Sequence, residues 1–217
     1  MIVESTISRV DIRARLKPIA KRIRLSEQKI MPPECRESVE IFGKPIFPLP
    51  GTGEAWYGPT PMLALIEYLE GLNLPPDLHF ADLGSGLGNA CIAARAVFDR
   101  VTGLENNRAV FAEAVTIRDE FGLAGIEYRL EDLMAASWEE FNVLYFYKPD
   151  AKEDLFLKLM RRFRGTAPGT VIISRRYMNN ELYLPGEFRY LPPLSDWRST
   201  LDNLYFPLAE FYGFVKK

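Results

Sequence analysis

An acidic residue followed by a glycine-rich turn is the segment most capable of binding a ligand. Residues 80–89 read F-A-D-L-G-S-G-L-G-N, with an apolar run before the first glycine and a helical pattern after the last. Glycines permit left-handed backbone angles and let a ligand approach without a Cβ in the way. In an open parallel sheet, ligands bind outside the carboxyl ends of the strands, which is where this turn would lie. The segment predicts a ligand site, although a tight strand-helix turn would also explain the glycines.

The chemistry of that ligand is suggested by Asp82 and by the glycine spacing. The dinucleotide fingerprint G-x-G-x-x-G would need glycine at position 89, where this chain has Asn89 and the spacing is instead G-x-G-x-G. An acidic side chain just before the turn would repel a pyrophosphate. It favours a cationic ligand such as the aminoacyl end of S-adenosylmethionine.

Two further strand ends carry carboxylates. Glu105 ends the next predicted strand, where a carboxylate can accept both hydroxyls of a ribose, although it could also be a surface glutamate. The third strand ends at Glu131-Asp132-Leu133. A carboxylate there could accept the exocyclic amine of adenine, with Leu133 packed on the ring. The alternative is an acid that caps a helix.

Strands that alternate with helices would position these residues. Strands are predicted at Leu78–Leu83, Val101–Glu105, Ile126–Leu130, Val143–Tyr147 and Thr170–Ser174. Helices are predicted from Met62 to Gly71, with Thr60 as the cap, and at Ala90–Val97, Arg108–Phe121 and Glu153–Phe163. The last segments, Phe188–Leu191 and Leu204–Phe214, suggest an antiparallel strand pair. The pattern favours an α/β fold, a mostly parallel sheet with helices on both faces.

An N-terminal extension, residues 1–55, is expected to pack on a core domain of residues 56–217. Residues 9–29 carry eight basic and two acidic side chains, with apolar residues at helical spacing. Pro18 would kink this helix or mark its start. The basic side chains either form a solvated face or an arm that grips an anionic partner such as RNA. Seven prolines and four glycines in residues 31–61 predict irregular structure.

The motifs D-L-G-S-G-L-G, G-L-E-N-N and L-E-D-L together resemble the class I S-adenosylmethionine-dependent methyltransferases, in the family's order and spacing. The resemblance covers residues 56–217 and implies a Rossmann-like seven-stranded sheet whose last strand is antiparallel. It implies an enzyme with S-adenosyl-L-methionine as cofactor, the glycine turn holding the methionine side. The implied contact residues are Asp82, Gly84, Ser85, Gly86, Gly88, Glu105, Asn106, Glu131, Asp132 and Leu133.

The end of the fourth strand bears on the identity of the methyl acceptor. It reads Y-F-Y-K-P-D at residues 145–150. It departs from the N/D-P-P-Y/F sequence of many enzymes that methylate amide or base nitrogens. It looks somewhat like the strand end of seven-strand protein-lysine methyltransferases, and W-Y-G-P-T-P at residues 56–61 is similar to an element that precedes their first strand. Aromatic faces suit a sulfonium and an ammonium alike, so Tyr57 and Tyr147 are predicted as catalytic residues that line the methyl channel. Both could instead be ordinary core aromatics.

Composition narrows the classes of function and the location that the sequence allows. The chain has 217 residues, a net charge of −2, two cysteines and one histidine, His79. Two cysteines and one histidine do not provide the ligand spacing of a zinc site, and no metal is expected. His79 lies in an apolar strand pattern without a nucleophile elbow, which argues against a Ser-His-Asp hydrolase. No apolar stretch could span a membrane and no signal sequence is seen, so a cytoplasmic location is expected.

Three functional hypotheses remain open at this point. The first is a methyltransferase acting on a protein lysine or a small molecule. The second is an RNA methyltransferase that docks its substrate with residues 9–29. The third is an NAD-dependent oxidoreductase or a nucleotide-binding protein without catalysis.

Overall fold

A computed structural model describes residues 9–30, 39–41, 44–48, 56–57, 60–147, 153–175, 186–191 and 211–217. Five helices lie in these ranges: α1 (Arg9–Ile30), α2 (Met62–Gly71), α3 (Asn89–Arg95), α4 (Arg108–Glu120) and α5 (Glu153–Arg164). Three short strands come first, β1 (Val39–Ile41), β2 (Lys44–Pro48) and β3 (Trp56–Tyr57). Seven follow: β4 (His79–Leu83), β5 (Arg100–Glu105), β6 (Ile126–Leu130), β7 (Val143–Tyr147), β8 (Val171–Arg175), β9 (Phe188–Leu191) and β10 (Phe211–Lys216).

The last seven strands form one sheet in the order β6-β5-β4-β7-β8-β10-β9. Strands β4 to β8 pair in parallel, and β10 is antiparallel to both of its neighbours. This confirms the predicted α/β fold with its antiparallel C-terminal pair. The strand order reverses at β4, since β5 lies on one side of it and β7 on the other. The turn after β4 therefore lies at the switch point where ligands bind in open α/β sheets.

Two apolar cores cover the two faces of the sheet. Helices α1 to α4 contribute to one core, in which Phe80 of β4 is fully buried. Helix α5 contributes to the other, together with Ala81 and Leu83 of the same strand. The alternation along β4 follows from the strand's period of two, and burial on both faces explains why the strand is apolar throughout apart from His79 and Asp82.

Helix α1 is seated on the first of these cores. Its buried residues Ile12, Ile19 and Ile23 belong to the same cluster as helices α2 to α4. The helix runs through Pro18, so the expectation that it might start near that proline is wrong. Burial of Ile12 stabilises the turn before Pro18 and offsets the backbone hydrogen bond that the proline cannot donate.

Ion pairs reinforce this packing and involve several of the basic side chains of α1. Glu113 of α4 accepts hydrogen bonds from Ser26 (2.8 Å), Arg22 (2.9 Å) and Lys29 (3.2 Å). Arg13 pairs with Glu70 of α2 at 2.7 Å. Three basic side chains of the predicted arm thus pair with acidic side chains of α2 and α4.

The segment of residues 31–61 contains more regular structure than its composition predicts. Backbone pairing joins β1 to β2 and β2 to β3 in an antiparallel three-stranded sheet. The prediction of irregular structure is wrong for these strands, because cross-strand pairing overrides the local preference of a proline-rich sequence. The rest of the segment up to residue 59 lies outside the described residues. The division at residues 55 and 56 stays a prediction.

The predicted cap of α2 is wrong, and the predicted last strand is described only in part. Thr60 does not cap α2, since Pro61 is the N-cap residue and no side chain caps the helix. The predicted strand Leu204–Phe214 is described only from Phe211, and β10 continues to Lys216. Among the described residues, no helix is both long and apolar enough to cross a membrane.

Candidate functional site

The glycine turn is fixed to the neighbouring strand by its backbone. The amides of Gly84 and Ser85 both donate to the carbonyl oxygen of Leu104, at 3.0 and 2.9 Å. The glycines at positions 84, 86 and 88 all have positive φ, which side chains with a Cβ rarely tolerate. Gly84 is exposed whereas Ser85 is buried, so the turn presents its first glycine to the surroundings.

Tyr128 of β6 packs against the glycine turn, and the sequence did not predict this contact. A Cβ on Gly88 would lie 1.9 Å from the Tyr128 hydroxyl, and a Cβ on Gly103 would lie 2.7 Å from its ring. Gly88 is therefore required by the space that Tyr128 occupies, and Gly103 by the space that Tyr128 and Ser85 occupy together. The only signal in the sequence was a glycine inside the strand β5, which often marks the close approach of another group.

Glu105 connects the tip of β5 to the glycine turn. Its Oε2 accepts the backbone N–H of Gly86 at 2.9 Å, and its Oε1 accepts that of Asn107 at 2.7 Å. Burial raises the pKa of Glu105, and the backbone N–H bonds act in the opposite direction. The backbone N–H of Asn106 acts in the same direction, so backbone donors face three of the about four acceptor sites of this carboxylate. Asn106 follows at the strand end and is exposed.

Asp82 lies beneath the turn and not on its surface. The residue is 3% exposed, and its Oδ2 accepts the thiol of Cys91 on α3 at 3.7 Å. Burial raises the pKa of Asp82 to about 7. The carboxyl thus faces the start of α3, and its predicted contact with a cationic ligand stays a prediction.

The segment after β6 forms a wall opposite the turn. The Leu133 side chain lies 3.8 Å from the point where a Cβ would project from Gly84. Glu131 donates its backbone N–H to the Glu105 carbonyl oxygen at 3.0 Å, which joins this wall to β5. The Oδ1 atom of Asp132 accepts the N–H of Met134 at 2.8 Å and thereby caps a turn at residues 133–135, not the helix that the alternative supposed.

The structure thus brings together most of the predicted cofactor contacts. They lie at or just after the carboxyl ends of β4, β5 and β6, which are neighbouring parallel strands. The members are Gly84, Ser85, Gly86, Gly88, Glu105, Asn106, Glu131, Asp132 and Leu133, with Asp82 buried below them.

The two tyrosines predicted for the methyl channel are described to different extents. Tyr147 is half-buried at the end of β7, and the guanidinium carbon of Arg175 lies 4.7 Å from its ring centroid. Arg175 is 3% exposed, and nothing in the sequence predicts it as a site residue. Tyr57 lies in β3, and its side chain is outside the described residues.

A hydrogen bond between two buried hydroxyls lies close to Tyr57 along the chain. Thr60 Oγ1 and Tyr145 Oη are 2.9 Å apart, and both side chains are buried. Thr60 follows Tyr57 by three residues, so the two Cα atoms are at most about 11 Å apart. The bond therefore holds Thr60, just before α2, against the strand β7.

No group of His, Cys, Asp and Glu side chains within the described ranges has the arrangement of a metal site.

Comparison with known proteins gives a partial match in sequence and a wider match in fold. No protein-family model matches the chain. EEF1A lysine methyltransferase 2 from Danio rerio is 31% identical over 88 residues, which is 40% of this chain and 38% of that protein. The human protein of the same name is 29% identical over 87 residues and is matched over 37% of its length. The alignments thus span less than two fifths of the length of these relatives.

Solved structures match over most of the chain. An RNA methyltransferase from Salinibacter ruber, in complex with S-adenosyl-L-homocysteine, has a TM-score of 0.55 at 21% identity, covering 73% of this chain and 94% of the other. Magnesium protoporphyrin IX methyltransferase from Synechocystis, with bound SAM, also has a TM-score of 0.55, at 11% identity over 72% and 78%. This chain therefore has the fold of the S-adenosylmethionine-dependent methyltransferases, as the motifs implied.

Proposed function

We propose that the chain is an S-adenosylmethionine-dependent methyltransferase whose cofactor binds between the tips of β4, β5 and β6. The observation that carries the proposal is the convergence, at neighbouring strand tips, of the exposed Gly84, the carboxylate of Glu105 and the side chain of Leu133. An exposed glycine leaves the backbone of the turn accessible, and Leu133 offers an apolar side chain beside it, which suits a partly apolar ligand. The names of the matched relatives and fold neighbours support the same chemistry.

The residues present fit that cofactor. Glu105 is held in place by backbone N–H groups and would use its remaining acceptor capacity for a ribose hydroxyl. Leu133 would cover one face of the adenine, and Glu131 would accept its amine in preference to Asp132, whose Oδ1 already accepts a backbone N–H. The turn from Gly84 to Gly88, with Ser85, would surround the methionine portion, and Asp82 would support it from below.

The cofactor, when bound, supplies an electrophilic methyl group on a sulfonium. The protein aligns an acceptor nitrogen with that carbon and excludes water. The acceptor nitrogen would have to lose its proton to solvent before the attack; its bond to the methyl carbon would then form as the bond from that carbon to sulfur breaks, with the sulfur keeping the electron pair. Tyr147, and Tyr57 through its position near Thr60, would form the aromatic channel at the acceptor side.

A protein lysine is the acceptor that we favour, because the matched relatives are named as lysine methyltransferases of EEF1A. A cytoplasmic location is part of this proposal. A small-molecule acceptor is the second choice. An RNA acceptor has less support, since Arg13, Arg22 and Lys29 of the basic helix pair with acidic side chains of α2 and α4.

The test is the transfer of labelled methyl groups from S-adenosylmethionine to a lysate of the source cells that has been separated into protein, RNA and small-molecule fractions. We expect base-resistant label in one protein band. Label confined to RNA or to the small-molecule fraction would contradict the protein acceptor. No transfer to any fraction, together with no binding of S-adenosylhomocysteine, would contradict the methyltransferase proposal itself.

A further inference from the structure

Arg162 of α5 reaches across to the wall that follows β6. Its Nη1 donates to the Leu133 carbonyl oxygen at 2.7 Å, and its Nη2 donates to that of Ala136 at 2.6 Å. The guanidinium carbon lies 3.9 Å from the ring centroid of Trp138. Trp138 in turn donates its indole N–H to the same Leu133 carbonyl at 3.1 Å. One side chain thus clamps both ends of the turn at residues 133–136.

The contacts depend on the shape of the guanidinium group. A planar fork can donate in parallel to two carbonyl oxygens while it stacks on an indole, whereas an ammonium group cannot do all three. Burial lowers the pKa of Arg162, and nearby Asp132 opposes that shift. The group nevertheless stays charged near neutrality, because arginine is protonated far above pH 7. Its hydrogen bonds to neutral carbonyls are therefore of the stronger, charge-assisted kind.

The clamped carbonyl belongs to the residue that faces the glycine turn. Leu133 extends its side chain to within 3.8 Å of the Cβ position of Gly84, and its backbone is held by Arg162 and Trp138. A shift of this backbone would move the Leu133 side chain relative to the glycine turn. Loss of the clamp would also release the carbonyl of Ala136, which is otherwise in a non-helical turn and buried.

We infer that Arg162 is a positioning residue that sets the adenine side of the cofactor pocket by fixing the wall at residues 131–136. The inference rests on the proposed function. Arg162 itself contacts no part of the cofactor in this account, and its effect is transmitted through the Leu133 backbone. The sequence gives little sign of this role, since Arg162 stands among other arginines at the end of α5.

The test compares Arg162→Met and Arg162→Lys with the matched control Arg161→Met, which alters an exposed arginine one position earlier on the same helix. Calorimetry measures the affinity of each protein for S-adenosylhomocysteine and for 5′-methylthioadenosine, which keeps the adenosine but lacks the amino acid. Thermal unfolding first fixes a temperature at which every variant is folded.

We expect the control to match the wild type, Arg162→Met to bind both ligands at least about tenfold more weakly, and Arg162→Lys to fall between them. The KM for S-adenosylmethionine should rise by the same factor with kcat at saturation little changed.

Wild-type affinity in folded Arg162→Met would overturn the inference, as would a loss for S-adenosylhomocysteine without a loss for 5′-methylthioadenosine. If Arg162→Met does not fold, wild-type affinity in Arg162→Lys would overturn it instead. Failure of the wild type to bind either ligand would instead overturn the proposed function on which the inference rests.

Discussion

Among single residues, Glu105 combines burial with a defined set of hydrogen bonds. Its two carboxylate oxygens hold the N–H groups of Gly86 and Asn107, so the side chain is oriented before any ligand arrives. Such preorganisation reduces the entropy cost of binding. The sequence predicted the position of this carboxylate at the end of β5, but it did not predict that the same group fixes the glycine turn.

Glu105→Gln should weaken the binding of S-adenosylhomocysteine by about 1–3 kcal/mol, the usual cost of a lost hydrogen bond to a charged group. The amide keeps one acceptor oxygen and replaces the other with a donor, which cannot accept either a backbone N–H or a hydroxyl. Calorimetry would measure the loss, with Glu139→Gln at an exposed position as the control. Equal affinities in the wild type and Glu105→Gln would remove Glu105 from the site.

Asp82 should affect the stability of the fold as a function of pH. Burial raises its folded pKa to about 7, against about 3.9 in an unfolded chain. A group with a raised folded pKa contributes its full stabilisation below the unfolded pKa, and that contribution is lost as pH rises toward the folded value. Between about pH 4 and 7, the free energy of unfolding should therefore fall more in the wild type than in Asp82→Asn, which cannot ionise.

Urea denaturation at a series of pH values would measure this difference. Asp77→Asn, at an exposed position, is the matched control and should follow the wild type. Parallel curves for the wild type and Asp82→Asn would mean that Asp82 does not titrate in this range in the folded protein.

At the level of elements, the turn between β4 and α3 depends on strands that lie beside it. Gly88 and Gly103 leave the space that Tyr128 fills, and the Leu104 carbonyl accepts two amides of the turn. The sequence predicted the turn because its glycines are adjacent along the chain. It did not predict Tyr128, Arg162 or the bond between Thr60 and Tyr145, because each brings together residues that are distant in sequence.

Comparison of Gly88→Ala with Gly169→Ala separates the free-energy cost of a left-handed backbone from the cost of a steric clash. The two glycines have nearly the same φ, +89° and +86°, but a Cβ at position 169 would meet nothing within 4 Å. Gly169→Ala should destabilise the protein by the left-handed backbone cost alone, about 1–2 kcal/mol.

Gly88→Ala should cost more, because its Cβ would overlap the Tyr128 hydroxyl, and it should also weaken the binding of S-adenosylhomocysteine. Chemical denaturation measures both free energies of unfolding. Equal losses in the two variants would show that Tyr128 does not restrain the turn.

For the whole molecule, the alternation of strands and helices sufficed to predict the main sheet. Composition was less informative in the N-terminal part. The proline-rich segment contains β1 to β3, and α1 continues through Pro18, because pairing and burial outweigh local preference there. The basic residues of α1 were ambiguous for a similar reason, since their acidic partners on α2 and α4 lie far away in sequence.

The remaining exposed bases of α1 allow the RNA alternative to be tested without disturbing the fold. Deletion of residues 1–30 would remove Ile12, Ile19 and Ile23 from the core, so its effects would not be specific to charge. Lys17, Lys21 and Arg24 are exposed and can be replaced together by glutamine. We expect this triple variant to keep the wild-type melting temperature, affinity for S-adenosylhomocysteine and transfer of label to protein.

Gel-shift or fluorescence titrations with RNA at increasing salt would check this expectation. RNA binding that falls steeply with salt in the wild type and is lost in the triple variant would favour the RNA acceptor instead.

The central claim is that the tips of β4, β5 and β6 bind S-adenosylmethionine. Calorimetric titration of the wild type with its product S-adenosylhomocysteine, which keeps the adenosyl and amino-acid parts, and separately with NADH tests it most directly. We predict saturable one-site binding of S-adenosylhomocysteine with a micromolar Kd and no saturable binding of NADH. Micromolar binding of NADH without any heat from S-adenosylhomocysteine would contradict the account.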